Sequence, residues 1–253
     1  MGMRATAAVI LAAGKSTRMK SDLPKVLHEV GGVPMLKHVV EACKAVGAER
    51  VVVVVGHGKQ AVMAAFANDP LLTWVEQVEQ KGTGHAVLAC EAELGSFQGR
   101  TLVIAGDMPL IRPETLTGLL AENGSTGDSV TLATSIFDDP TSYGRITRDA
   151  AGHLTGIVEH ADCSPEQREI KEVNVSYYCF DNRRMFEALR QVTCDNVKGE
   201  YYITDAVRIL LSAGHGAGAT ASVDQADATG VNSPEDLDLV NSLMKNRTRA
   251  TVR

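Results

Sequence analysis

The sequence predicts an α/β protein with an open, mostly parallel sheet between two layers of helices. Three observations predict it. The apolar runs ATAAVILAA (5–13), RVVVVV (50–55) and TLVIAGD (101–107) are continuous rather than alternating, as in strands buried on both faces of a parallel sheet. Between the first two lies MLKHVVEACKAVG (35–47), which sets Met35, Leu36, Val39, Val40, Cys43 and Val46 on one helical face. The order strand, helix, strand, helix then continues, and that order favours crossovers that return each strand in the same direction.

Taken in chain order, the 5–13 run is the first strand, and a polar loop follows it to Pro24. Pro34 suits the first turn of the next helix and Gly47 its exit. The 50–55 run is the second strand, with a short helix expected after Gly58. TWVEQ (73–77) is a third extended run, and GTGHAVLACEAEL (82–94) is a glycine turn into a helix. The 101–107 run ends at Gly106-Asp107, and RPETLTGLLAE (112–122) is a helix with Pro113 in its first turn. SVTLATSIF (129–137), HLTGIVE (153–159) and EVNVSYYCF (172–180) are strands divided by glycine and aspartate turns, and they predict a mixed sheet or lobe added to the parallel part. YITDAVRILLSAG (202–214) and SPEDLDLVNSLMKN (233–246) are the last two helices, followed by a frayed tail. The expected organisation is one domain over 1–253, with a first lobe at 1–111, a second at 112–231, a C-terminal helix at 232–247 and a tail at 248–253.

Bulk properties narrow the function. A length of 253 residues gives room for a substantial core. A net charge of −6 with a pI of 5.7 argues against a general nucleic-acid binder. Cys43, Cys90, Cys163, Cys179 and Cys194 are odd in number, widely spaced and free of Cys-x-x-Cys pairs, so buried reduced thiols in a cytoplasmic protein are expected. No run is long enough to span a bilayer, and no secretory signal is visible. Met1 to Thr6 formally fits a lipidation pattern, but a loose one that runs straight into a strand.

The stretch LAAGKSTRM (11–19) contains Gly14-Lys15-Ser16, the spelling that closes a phosphate-binding P-loop. That loop needs a glycine five positions before its Gly-Lys pair, where this chain has Val9, and it must lead straight into a helix, where this chain reaches Pro24. The dinucleotide fingerprint fails too, because Gly14 stands alone. The alternatives left are an ordinary surface loop and a strand-end turn whose backbone N–H groups hold phosphate oxygens, helped by Arg18 and Lys25.

LAAGKSTRMKSDLPKVLH (11–28) resembles the signature of the sugar nucleotidyltransferases, L-A-A-G-x-G-T-R-M followed by L-P-K. Within that family the chain is similar to the uridylyltransferase halves of bifunctional bacterial enzymes that make UDP-N-acetylglucosamine. The likeness continues in order through EQKGTGHA (79–86), AGDMPLI (105–111), DDPTSYGRI (138–146), GIVEHADCSPEQREI (156–170), GEYYITD (199–205) and GVNS (230–233), covering roughly residues 7 to 240. It implies a Rossmann-like three-layer nucleotidyltransferase fold with a smaller sugar-binding lobe. It also implies a reaction: a sugar-1-phosphate oxygen attacks the α-phosphorus of UTP, and pyrophosphate leaves. The implied partners are UTP and N-acetylglucosamine-1-phosphate, and the implied cofactor is Mg²⁺.

The resemblance carries roles over to particular residues. Leu11, Ala12, Ala13, Gly14 and Lys25 would hold the nucleotide, with Arg18 directed at the leaving pyrophosphate and Lys25 at the α-phosphate as catalytic cations. Gln77, Gln80, Gly82 and Thr83 lie where the family reads uracil. Gly144, Glu159 and Asn174 lie where it reads the sugar. Asp107 and Asn232 would supply two oxygens to Mg²⁺, a sparse protein set that phosphates and water complete. Alternative roles are a turn for Asp107, a helix cap for Asn232 and a helix-start turn for Gly82. Tyr202 and Thr204 would line or support the sugar lobe.

The chain departs from the pattern in three places: Ser16 replaces a glycine, Val175-Ser176 replaces Thr-Gly after Asn174, and Ala105 stands where an aromatic is frequent. Two of the three fall on the sugar side. The acetyltransferase repeats of the bifunctional relatives have no counterpart in these 253 residues, which leaves the oligomeric state open. Competing functions are a pyrophosphorylase, cytidylyltransferase or guanylyltransferase with other substrates, and a non-catalytic nucleotide-binding module.

Overall fold

The computed structural model describes residues 4–15 and 17–251, with side chains to Arg247. The lipidation pattern at the first residues and the effect of Ser16 therefore lie outside the described residues.

The chain opens with β1 (Thr6–Ala12), a small hairpin of β2 (Glu29–Val30) and β3 (Val33–Pro34), and α1 (Met35–Ala45). Next come β4 (Arg50–Val55), α2 (Lys59–Ala65), β5 (Leu72–Glu76), α3 (Thr83–Leu88), α4 (Glu91–Leu94), β6 (Arg100–Ala105) and α5 (Pro113–Thr126). The second half adds β7 (Val130–Ile136), β8 (Gly144–Arg148), β9 (Leu154–Val158), α6 (Pro165–Arg168) and β10 (Glu172–Asp181). It ends with α7 (Asn182–Leu189), α8 (Ile203–Ser212), β11 (Ala217–Ala221) and α9 (Pro234–Thr251).

Among the described residues nine strands form one sheet. Seven follow the order β11-β7-β10-β6-β1-β4-β5, and β8 and β9 extend from β10. β1 pairs in parallel with β4 and β6, β4 with β5, and β7 with β11, whereas β10 runs antiparallel to both β6 and β7. The reversal has a geometric consequence: β10 delivers its first residues, not its last, to the edge where β1, β4 and β6 end.

The continuous apolar runs divide between two cores by strand alternation. Ala8, Ile10, Val51, Val53, Leu102 and Ile104 pack with α1 and α5 on one face. Ala7, Val9, Val52, Val54 and Val103 pack with α3, α7 and α8 on the other. This is the three-layer α/β architecture expected. A third cluster joins Val240, with Leu237, Leu243 and Met244 against it, to Met19, Val30, Leu110 and Val231, and so seats α9 beside the end of β6.

Several local expectations are corrected. Pro34 sits one residue before α1, as its cap. The 82–94 helix is two short helices broken near Cys90. α5 runs on to Thr126 and stops at Gly127, and the backbone of α9 continues to Thr251 where a frayed tail was expected from 248. Strands β8 and β11 and helices α6 and α7 were not anticipated. All five cysteines are free; Cys194 is exposed and the other four are buried, and burial pushes the Cys43 thiol up to about 12. Among the described residues no helix is long and apolar enough to cross a membrane.

Candidate active site

A cleft of about 490 Å³ opens at the carboxyl ends of β1, β4 and β6, a size typical of small-molecule sites. Its lining includes Leu11, Ala12, Ala13, Gly14, Lys25, Gln77, Gly82, Thr83, Asp107, Glu159 and Asn174, which brings together eleven of the residues singled out in the sequence.

One wall is made of strand ends and backbone. Past Ala12 the chain leaves the sheet, and the Ala13 carbonyl accepts from the His57 backbone N–H at 3.4 Å and from Gln80 Nε2 at 2.8 Å. These bonds tie the loop after β1 to the ends of β4 and β5. Gln77 is buried; its Nε2 donates to the Gly82 carbonyl at 3.0 Å and lies 3.1 Å from His85 Nδ1. Gln77 thus shapes the Gly82 turn from behind, and Gln80 stands nearer the opening.

Gly82 caps α3 with a φ of 107°. A Cβ there would stand 2.6 Å from the Tyr201 carbonyl oxygen and 2.8 Å from the Tyr201 nitrogen, so glycine is required by the chain crossing behind it. The crossing is stitched by Tyr201 N–H to the Lys81 carbonyl at 2.8 Å, Gly84 N–H to the Tyr201 carbonyl at 2.7 Å, and Ile203 N–H to Thr83 Oγ1 at 3.0 Å. The helix-start role and the lining role of Gly82 hold together.

At the base of the cleft, Lys25 begins a one-turn 3₁₀ helix after Pro24. Pro24 packs where Gly58 leaves space, since a Cβ on Gly58 would meet Pro24 Cγ at 2.5 Å. The Lys25 ammonium is ion-paired with Asp107 and donates to Asn232 Oδ1 at 3.1 Å. Asp107 sits there because β6 ends at Ala105. Its own carbonyl accepts from Val231 N–H at 3.0 Å, which places the following Asn232 alongside.

The helix-cap role considered for Asn232 belongs to Ser233. Ser233 Oγ accepts from Asp236 N–H at 3.2 Å, and the Asp236 carboxylate takes the N–H groups of Asn232 and Ser233 at 2.9 Å each. The Asn232 side chain is thereby left to face Lys25. Two oxygens from distant parts of the chain converge on one cation, and this donor set suits a hard ion such as Mg²⁺. Among the described residues no three of His, Cys, Asp and Glu cluster to hold a metal by themselves.

The opposite wall is made of side chains. Two extra residues of β10, Val175 and Ser176, are looped out between Asn174 and Tyr177 relative to β7. Asn174 closes the bulge: its Oδ1 accepts from Ser176 N–H at 3.1 Å, and its Nδ2 donates to the Tyr178 hydroxyl at 2.6 Å. Glu159 follows β9, and its Oε1 accepts from Thr204 Oγ1 at 3.0 Å. Burial raises the Glu159 carboxyl above its ordinary 4.5. Gly144 pairs with Asn174 behind this wall, where a Cβ would come within 3.2 Å of Ile157 Cγ2 and 3.7 Å of Glu159 Oε1. It supports the wall from outside the cleft lining. Thr204 supports Glu159, and Tyr202 is buried.

Arg18 is exposed on a one-turn helix at Thr17–Met19, outside the lining, whereas Lys15 is part of it. His57, Tyr178 and Glu200 also line the cleft and were missed. The His57 signal was present, because VVVVVGH (51–57) places a histidine just past a buried strand. Tyr178 sits inside an apolar-looking strand, where nothing in the pattern distinguishes a core tyrosine from a lining one.

The chain is similar to known proteins in sequence and in fold. A family model for the MobA-like NTP transferase domain matches residues 8–206. The bifunctional protein GlmU of Streptococcus equi subsp. zooepidemicus is 45% identical over 240 residues, which are 95% of this chain and 52% of that protein. The protein of the same name from Exiguobacterium sibiricum is 46% identical over 241 residues, 95% of this chain and 53% of that one. The chain thus spans about half the length of the curated relatives it matches. A crystal structure of UDP-glucose pyrophosphorylase complexed with UDP-glucose superposes with a TM-score of 0.78 at 21% identity, covering 97% of this chain and 100% of that one, which shows a shared fold. The strand-end cleft, the motifs in order and the match over most of the chain place this protein in the MobA-like NTP transferase domain family.

Proposed function

We propose that the protein joins UTP and N-acetylglucosamine-1-phosphate to give UDP-N-acetylglucosamine and pyrophosphate. The observation that carries this reading is the meeting of Lys25 and Asp107 on the lining of a cleft between a backbone wall and a polar side-chain wall, with Asn232 bonded to Lys25 from just outside that lining. The name shared by the 45% and 46% identical relatives adds support.

The attacking phosphate oxygen is already an anion near neutral pH, so the site needs no general base. Its task is to hold two polyanions in line and to offset the charge that builds as the α-phosphorus is attacked. The turn at Ala13 and Gly14 offers backbone N–H groups at the strand end. Lys25 offers a point charge at the floor, while Lys15 on the lining and Arg18 on the exposed turn beyond it offer charge to the leaving pyrophosphate. Asp107 and Asn232 would hold Mg²⁺, which when bound neutralises phosphate charge. The loop from Gln77 to Thr83 takes the base. Glu159 and Asn174 take the sugar, with Gly144 leaving room behind them.

Pyrophosphate release over the four NTPs and a panel of sugar 1-phosphates tests this. UTP with N-acetylglucosamine-1-phosphate is expected to give the highest kcat/KM. A clear win for CTP or for another sugar would overturn the assignment.

A further inference from the structure

Lys20, Ser142 and Ser176 are the described non-glycine residues with left-handed backbone, and of these only Ser176 lines the cleft. Its φ is 58°, a conformation that strains an L-residue and that glycine adopts freely. Ser176 is half-buried, so the position is not forced by core packing around its side chain. The backbone N–H alone closes the bulge with Asn174, and a glycine would keep that bond. The serine side chain is therefore extra to what the turn needs. It lies on the cleft wall with Asn174 and Tyr178, its hydroxyl beside the Tyr178 hydroxyl, which in turn accepts from Asn174. Three polar groups from one bulge meet at the wall opposite the nucleotide loop, on the same side as Glu159.

We propose that Ser176 is a specificity-determining residue for the sugar phosphate. In this role β10 bears a strained serine so that its hydroxyl, set beside Tyr178 and Asn174, reads the polar substituent that distinguishes N-acetylglucosamine-1-phosphate from glucose-1-phosphate. The inference rests on the sugar-side reading given under Proposed function.

The test uses the wild type, Ser176→Gly and Ser176→Ala. It measures kcat and KM for UTP, N-acetylglucosamine-1-phosphate and glucose-1-phosphate, together with urea unfolding. Loss of one hydrogen bond to the sugar lowers kcat/KM for N-acetylglucosamine-1-phosphate about five- to tenfold in both variants. The change falls on the KM for that sugar, leaves the KM for UTP in place, and shifts the ratio over glucose-1-phosphate by a similar factor. Ser176→Gly also unfolds at higher urea than the wild type, because the left-handed strain is gone, whereas Ser176→Ala does not. A stabilised Ser176→Gly whose sugar preference and sugar KM match the wild type would overturn the proposal, since the serine would then matter to folding alone. A wild type that turns over neither sugar phosphate would defeat the functional reading itself, and the proposal with it.

Discussion

The two walls of the cleft are built on different plans. The backbone wall hangs on parallel strands whose apolar residues are buried on both faces, and it is finished by backbone hydrogen bonds from Ala13, Lys81, Gly84 and Tyr201. The opposite wall depends on one reversed strand, a bulge, and side-chain bonds among Asn174, Tyr178, Glu159 and Thr204. Backbone walls tolerate changes of side chain but not of glycine; side-chain walls can be retuned residue by residue. The sequence departure at Val175-Ser176 falls on the second kind of wall, and Ala105 ends β6 beside it.

Substitutions on the floor and on each wall separate the two plans. The largest effect is expected at the floor shared by both walls. Asp107→Asn removes the charge that holds Lys25 and lowers kcat for pyrophosphate release by about 10²–10³-fold, with the urea midpoint nearly unchanged. Next is Gly82→Ala, which sets a methyl against the Tyr201 backbone at a positive φ. It destabilises by about 3 kcal/mol in urea unfolding and weakens UTP binding with it. Ser233→Ala removes the cap of α9 at a cost of about 1 kcal/mol. It also frees Asn232, so the Mg²⁺ concentration for half-maximal rate rises a few-fold while the KM for the sugar phosphate holds.

The smallest effect is gated by pH. Burial raises the Glu159 carboxyl in the folded protein, so the fold favours the protonated form. The resulting penalty is absent below the ordinary value of 4.5 and grows as pH rises through the raised value. Glu159→Gln keeps an acceptor for Thr204 and removes the penalty. It is therefore expected to be more stable than the wild type at pH 7 and equal to it at pH 4, as read by urea midpoints, while its KM for the sugar phosphate rises.

The same contrast explains what the sequence disclosed. β1, β4 and β6 were legible because burial on both faces forces unbroken apolar runs, and Asp107 was legible because it follows such a run directly. β8 was hidden because its five residues are GRITR, with a buried Arg145 where an apolar residue is expected. That guanidinium bonds to the carbonyls of Tyr143 and Arg168, partners that no local pattern reveals. β11 reads AGATA, without the branched or aromatic residues that mark strands. α7 did carry a signal, with the Asp181 side chain accepting from Arg184 N–H and Met185, Phe186 and Leu189 spaced for one face. Its eight residues were masked by the strand running straight into it. The convergence of Asn232 on Lys25 depends on α9 docking across the sheet end, a long-range contact that only the family resemblance indicated.

On the proposed reading the cleft directs a sugar phosphate at the α-phosphorus of UTP. Isotope transfer tests it most directly. With Mg²⁺, UTP labelled at the α-phosphorus and N-acetylglucosamine-1-phosphate, the account predicts that the label appears in the nucleotide sugar, and that label placed at the β or γ position appears in pyrophosphate. Release of γ label as inorganic phosphate, without any sugar phosphate present and with no nucleotide sugar formed, would contradict it.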